Sequence, residues 1–267
     1  MTESKPTQSK PKGRLYIAGT PIAWIAVYGA LVGVTSLVPI LPYAGGGGFW
    51  PLATPLAGIA PLLLGPVGGI AAAIVGGIIG MFIAPPAFPL GIIDATLVVV
   101  LPSIFVGLAM NMKKMGKWIF LAWQVIMTVS FFVALYVYPG VSGGWPPVST
   151  TSYFLSTLYY WLLPTVVLLS PIGTKYIYDW SRSANARQRS VGVFLGSWMA
   201  MNAWYISPSF WLYWILFAYP SPLLYVMAWG IYTWYMPLIA VIITLITVPI
   251  TEALRRSGMA RPPHVIW

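Results

Sequence analysis

The chain has 267 residues, 59% of them hydrophobic and only 7% charged, whereas a soluble domain carries about 25% charged residues to solvate its surface. Fourteen Lys and Arg and four Asp and Glu cannot cover a water-exposed globule. A soluble enzyme, a secreted disulfide scaffold and a disordered chain are thereby excluded, which leaves a polytopic membrane protein whose spans each need roughly 20 apolar residues.

In chain order, residues 1–14 form a polar tail carrying Lys5, Lys10, Lys12 and Arg14. An apolar segment follows from Tyr16 to Ile40, too long for a removable signal peptide and without a good cleavage site. A loop rich in glycine and aromatics, Pro42 to Trp50, precedes a short arm at 50–64 that carries Pro51, Pro55 and Pro61. Gly65-Pro66 is a predicted turn into a glycine-rich helix ending near Ala84, and Leu90 to Met110 is a further span. Lys113, Lys114 and Lys117 come next. Spans near 118–138 and 152–174 are divided at Pro139-Gly140 and the Gly143–Pro147 loop, and Lys175, Arg182, Arg187 and Arg189 follow. Residues 190–254 divide at Tyr219–Pro222 into two long spans of ~30 residues each, which must tilt, break or project beyond the hydrocarbon. Pro208 and Pro237 are the expected breaks. Arg255, Arg256 and Arg261 mark the end.

The basic residues thus fall into four groups separated by long stretches with no Lys or Arg, the positive-inside pattern of a multi-pass protein. With every group on the cytoplasmic side, each intervening stretch crosses an even number of times. The expected fold is an all-α polytopic membrane helix bundle with about eight crossings, one short or irregular at 50–64, and both termini cytoplasmic. It comprises a tail (1–14), one transmembrane domain (15–254) and a C-terminal tail (255–267). The charges face anionic lipid, and nucleic acid is not an expected partner.

The chemistry is bounded by what is missing. There is no Cys and one His, His264, so thiolate, iron–sulfur, haem and zinc sites lack ligands and no metal or cofactor is expected. No phosphate-cradling loop and no Ser–His pair occurs, so the chain is not expected to be an enzyme.

What remains are packing faces and ligand candidates. Gly65, Gly69, Ala73 and Gly77 form one row at spacing four, and Gly68, Ala72, Gly76 and Gly80 form an adjoining one. Such small-xxx-small faces let membrane helices approach closely, for internal packing or for a partner. Ala23, Ala26, Ala30 and Gly33 repeat the theme on the first span with the same two readings. The Gly-rich loop, flanked by Tyr43, Phe49 and Trp50, suits a lid over a ligand or a loose connection. Asp94 is the one acid inside an apolar run, where an ionisable group marks a ligand partner or, near a helix start, a cap. Gln124 and Asn202 are amides inside spans. Aromatics concentrate between Trp204 and Tyr235, including Trp229, and read as an interfacial belt or as a stacking pocket.

The Ala-rich first span (Ala26-Val27-Tyr28-Gly29-Ala30), the Pro-bearing arm and the Gly65-Pro66-Val67-Gly68-Gly69 turn into a glycine-lined helix resemble the substrate-binding (S) components of energy-coupling-factor transporters, over about half of the chain. That family builds a six-helix bundle that binds a vitamin or trace nutrient from outside and associates with a transmembrane coupling protein and two ATPases. The resemblance implies that Ala26 and Ala30 are a docking face and that residues 43–50 are a substrate lid. The expected function is a nutrient-binding subunit of a multi-subunit transporter in the cell membrane, energised by separate ATPases, with Tyr43, Phe49, Trp50, Asp94, Trp204 and Trp229 as ligand residues. The alternative is a non-catalytic accessory subunit of a larger membrane assembly, for example a respiratory complex.

Overall fold

The structure, a computed structural model, describes residues 15–43, 47–113, 116–126, 129, 158–211 and 222–267, with side chains described except at 158, 206–211 and 222–229. The N-terminal tail, Gly45, Gly46 and the 139–147 loop lie outside the described residues.

Helices dominate, as composition demands. α1 (Ile22–Thr35) follows a two-residue ribbon, β1 (Tyr16–Ile17) with β2 (Thr20–Pro21). A second antiparallel ribbon, β3 (Pro39–Pro42) with β4 (Phe49–Pro51), leads into α2 (Ala53–Leu64) and α3 (Pro66–Ile83). α4 (Ile92–Ala109) contains a π-helical turn at Thr96–Val100. Then come α5 (116–126), α6 (Tyr159–Leu169), α7 (172–181), α8 (Ala186–Trp211) and α9 (Pro222–Arg256). Pro66–Ile83, Ile92–Ala109 and Gly230–Arg256 are long and apolar enough to cross a membrane, and α1, α2 and α6 are shorter apolar helices. The all-α expectation holds, and the two ribbons add only strands of two to four residues to it. Both are too short to show the alternating pattern by which strands are read from sequence.

α2 is the centre of the bundle. All 12 of its residues are buried, packed by α1, α3, α4 and α9. Its sequence explains this, since Ala, Gly, Pro, Leu and Ile leave Thr54 as the only polar side chain. The helix stops at Gly65, whose φ of 78° is a conformation that side chains resist. Pro66 then starts α3 at the first helical position, where its missing N–H costs nothing.

The two small-residue rows of α3 serve two neighbours. A side chain on Gly69 would strike the backbone of Pro61 and Ala60 in α2, while one on Gly76 would strike Val32 and one on Gly80 would strike Ser36. α1 answers with Gly29 and Gly33, which abut Val75 and Ile79. Close backbone approach maximises dispersion contact where no hydrophobic drive operates between helices. Ala72, Gly76 and Gly80 are therefore buried against α1 and Gly68 against Thr20 of β2, as the internal-packing reading of that row has it. Ile74 and Ile78 stay exposed on the opposite side.

Neither expected proline break occurs, because α8 runs through Pro208 and α9 through Pro237 and Pro249. Proline removes the N–H that would bond the carbonyl four residues back, and membrane helices tolerate this when a neighbour supplies a donor. Thr233 carries the carbonyl that Pro237 orphans, and the Tyr159 hydroxyl donates to it at 3.2 Å.

Three of the basic groups meet at one end. Lys113 pairs with Asp179 at 2.6 Å. Arg182 donates to Met110 O (2.7 Å) and Asn111 Oδ1 (3.0 Å) and stacks 4.0 Å over Tyr178. Arg255 reaches Ser183 O, Arg182 O and Ile266 O. Arg189, with no exposed side-chain surface, holds Glu252 at 2.6 Å, so Glu252 is more than the helix-end partner of Arg256. Residues 262–267, read above as tail, close this end: Trp267 Nε1 donates to Leu63 O (2.9 Å) and Ile266 N to Leu62 O (3.3 Å). Thr20 Oγ1 donates to Leu64 O at 2.6 Å. The last carbonyls of α2, which a helix leaves unpaired, are thus met from both extremes of the chain.

Candidate functional site

Opposite the basic end, aromatic rings gather around Trp50. The residue sits on β4, where side chains alternate between faces, so Trp50 enters the bundle at 5% exposure and Phe49 takes the other face. Its ring lies 5.4 Å from Tyr43 and from Trp204, 5.6 Å from Tyr232 and 5.5 Å from Tyr235. Three of these contacts are edge-to-face, the arrangement favoured by ring quadrupoles. Tyr205 joins at 5.1 Å from both Tyr160 and Tyr232. Each ring has a local reason for its place. Tyr232 and Tyr235 are three apart on α9 and so share a face, while Trp204 and Tyr205, adjacent on α8, approach Trp50 from two directions, at 5.4 and 6.4 Å. The π-helical turn of α4 widens the backbone spacing, and Trp204 Nε1 donates to Leu97 O there at 2.6 Å.

Tyr43 and Gly48, which flank the loop, are tied together and to the turn after α3. Tyr43 N donates to Gly48 O at 3.0 Å, and the Tyr43 hydroxyl to Ala87 O at 2.8 Å. Gly48 is required because a Cβ would collide with Pro86 O and the Tyr43 ring. Burial pushes the Tyr43 hydroxyl well above its ordinary range, and the negative charge of Asp94 adds to this, so Tyr43 stays a donor. Asp94, fully buried in the first turn of α4, accepts the Leu90 N–H at 2.6 Å from the segment just before the helix.

Several buried polar atoms here have no hydrogen-bond partner: Trp50 Nε1, Thr54 Oγ1, Tyr235 Oη and Ser103 Oγ, together with both amide atoms of Asn202. Buried polar groups are nearly always satisfied, and an unmade bond costs about 1–3 kcal/mol each.

Of the residues chosen from sequence, Tyr43, Trp50 and Trp204 are brought together and Asp94 acts on Tyr43. Among the described residues Phe49 makes no ring contact with this cluster, and the Trp229 side chain lies outside them. Ala26 and Ala30 are exposed with Ala23, while Gly33 is buried and belongs to the inner face. Tyr205, Tyr232 and Tyr235 belong to the 204–235 aromatic stretch read as a belt or a stacking pocket, without being singled out as ligand residues, and Tyr160 was not chosen at all. Thr54 and Ser103 gave no signal. Among the described residues no group of His, Cys, Asp and Glu gathers that could hold a metal ion. No protein-family model, curated protein or solved structure matches the chain.

Proposed function

We propose that the chain is the substrate-binding subunit of a multi-subunit membrane transporter for a vitamin or small nutrient, energised by separate ATPases and without enzymatic chemistry of its own. In this reading it is a multi-pass protein of the cell membrane with eight crossings, formed by α1–α6, α8 and α9 with α2 as the short one. The basic end is cytoplasmic and the aromatic end outward.

The observation that carries the reading is the convergence of a loop, a ribbon and two helices on Trp50, beside buried hydrogen-bonding groups that no protein atom satisfies. Stacking rings with a few convergent polar groups are what small-molecule sites are made of. The outer strip of α1 adds support for a partner: Ala23, Ala26 and Ala30 remain on the surface, flanked by Val27 and Leu31, after internal packing has used the Gly29–Gly33 side. The accessory-subunit alternative draws on the same strip and on the close packing of the rings.

Purification from native membranes in mild detergent separates the two. ATP-binding subunits and a bound small molecule are expected; haem- or quinone-reactive subunits in their place would establish the alternative.

A further inference from the structure

The buried groups without partners are ordered along α2, and Gly58 divides them. A Cβ on Gly58 would meet Ile243 of α9, Val106 of α4 and Met201 of α8, so these three apolar side chains close around one level of the central helix. Residues three or four apart share a helix face and lie one turn from each other. Thr54 is one turn from Gly58 toward the aromatic end, and Ser103 is one turn from Val106 in the same direction. Ser197 precedes Met201 by one turn and Thr247 follows Ile243 by one turn, and both steps lead toward the basic end. All four hydroxyls are on residues with no exposed surface and have no hydrogen-bond partner.

The outer pair lies on the side of Trp50 and Tyr235, whose Nε1 and hydroxyl are also unsatisfied. The four groups are neutral. The indole can only donate, and the three hydroxyls donate or accept. None offers a countercharge, and Asp94, the buried carboxylate beside Tyr43, is already engaged by the Leu90 N–H; burying an unpaired ion costs far more than burying a neutral polar molecule.

We propose that the site between the Trp50 ring cluster and the Gly58 layer takes an uncharged polar molecule carrying at least one hydrogen-bond acceptor, bound by Trp50 Nε1, Thr54, Ser103 and Tyr235. The Gly58 layer is its floor, and ions are barred. This rests on the reading of the aromatic end as a binding site, and it narrows the substrate to neutral compounds.

The chain has no cysteine, so Thr54→Cys, Ser103→Cys and Ser197→Cys can each be labelled on a silent background. The probes are three methanethiosulfonates of similar length, added outside intact cells: neutral propyl, anionic sulfonatoethyl and cationic trimethylammonioethyl. The expected result is modification of Thr54→Cys and Ser103→Cys by the neutral probe at least about 10-fold faster than by either charged one, with Ser197→Cys spared by the charged probes and slower with the neutral one. Equal rates for charged and neutral probes would overturn the selectivity. No labelling at 54 and 103, or labelling of Ser197→Cys as fast as of Thr54→Cys, would overturn the site and its floor. Ser103→Cys decides alone if Thr54→Cys does not fold. The outcome does not depend on which subunits co-purify, so the transporter reading can fail separately.

Discussion

Gly69 and Gly77 lie on the same row of α3, yet alanine should have opposite effects at the two positions. At Gly77 a new Cβ would sit 3.4 Å from Ala95 O and 3.5 Å from Ala95 Cβ, ordinary contact distances. The substitution then gains the helix preference of Ala over Gly, up to about 1 kcal/mol. At Gly69 the Cβ would overlap the backbone of Pro61 and Ala60. No side-chain rotation relieves that overlap, and the buried α2 has no free side into which to move. Overpacking of this kind costs typically 1–3 kcal/mol, which offsets the propensity gain and leaves a net loss of up to about 2 kcal/mol. Both variants share the propensity gain, so they should differ by the overpacking cost, about 1–3 kcal/mol, or a gap in Tm of roughly 2–12 °C at 2–4 °C per kcal/mol. Thermal unfolding of both, followed by tryptophan fluorescence in one detergent, measures the gap. Coincident melting curves, or a Gly69→Ala variant that melts higher than Gly77→Ala, would refute the close approach of α3 to α2.

Trp50→Ala should cost about 3–5 kcal/mol by emptying the ring cluster, and Trp50→Phe much less, because the indole N–H it removes has no protein partner; chemical denaturation ranks the two. Glu252→Gln should destabilise more than Arg256→Ala, since it unpairs the fully buried Arg189 whereas the Arg256 side chain is 79% exposed. The latter loss should stay within about 0.5 kcal/mol, as for exposed i,i+4 pairs, and equal melting shifts would contradict the assignment. Tyr159→Phe should cost about 1 kcal/mol or more, by uncapping the Thr233 carbonyl and removing the acceptor of Trp198 Nε1. In a Pro237→Ala background, where that carbonyl regains a helical donor, the cost should fall to what the Trp198 bond contributes, which a double-mutant cycle tests.

The sequence was most informative where one residue type satisfies the geometry. Gly65-Pro66 announces the end of α2 and the start of α3, and the α3 rows announce tight packing. The sequence could not say which face of α1 meets those rows, because Gly29–Gly33 and Ala26–Ala30 both offer small residues four apart. The approach of Trp50 to Trp204 was foreseen only as membership of one site, because 154 residues of chain separate the two rings. Proline was read too strictly: breaks were expected at Pro208 and Pro237, but a neighbouring hydroxyl, invisible to local propensity, meets the carbonyl that Pro237 orphans. Arg189 was read as one of a cytoplasmic basic group facing anionic lipid, and only the long-range pairing with Glu252 accounts for its burial. The hydroxyls of Thr54 and Ser103 give no periodic signal at all.

The way α2 ends has a consequence for biosynthesis. Its final carbonyls accept hydrogen bonds from Thr20, before α1, and from Ile266 and Trp267, after α9. The helix core is made early, but its inner terminus cannot be completed until translation has passed Trp267. Until then the most interior helix keeps unsatisfied acceptors at that terminus. Chains truncated before residue 266 should therefore be degraded by added protease faster than chains that include Trp267.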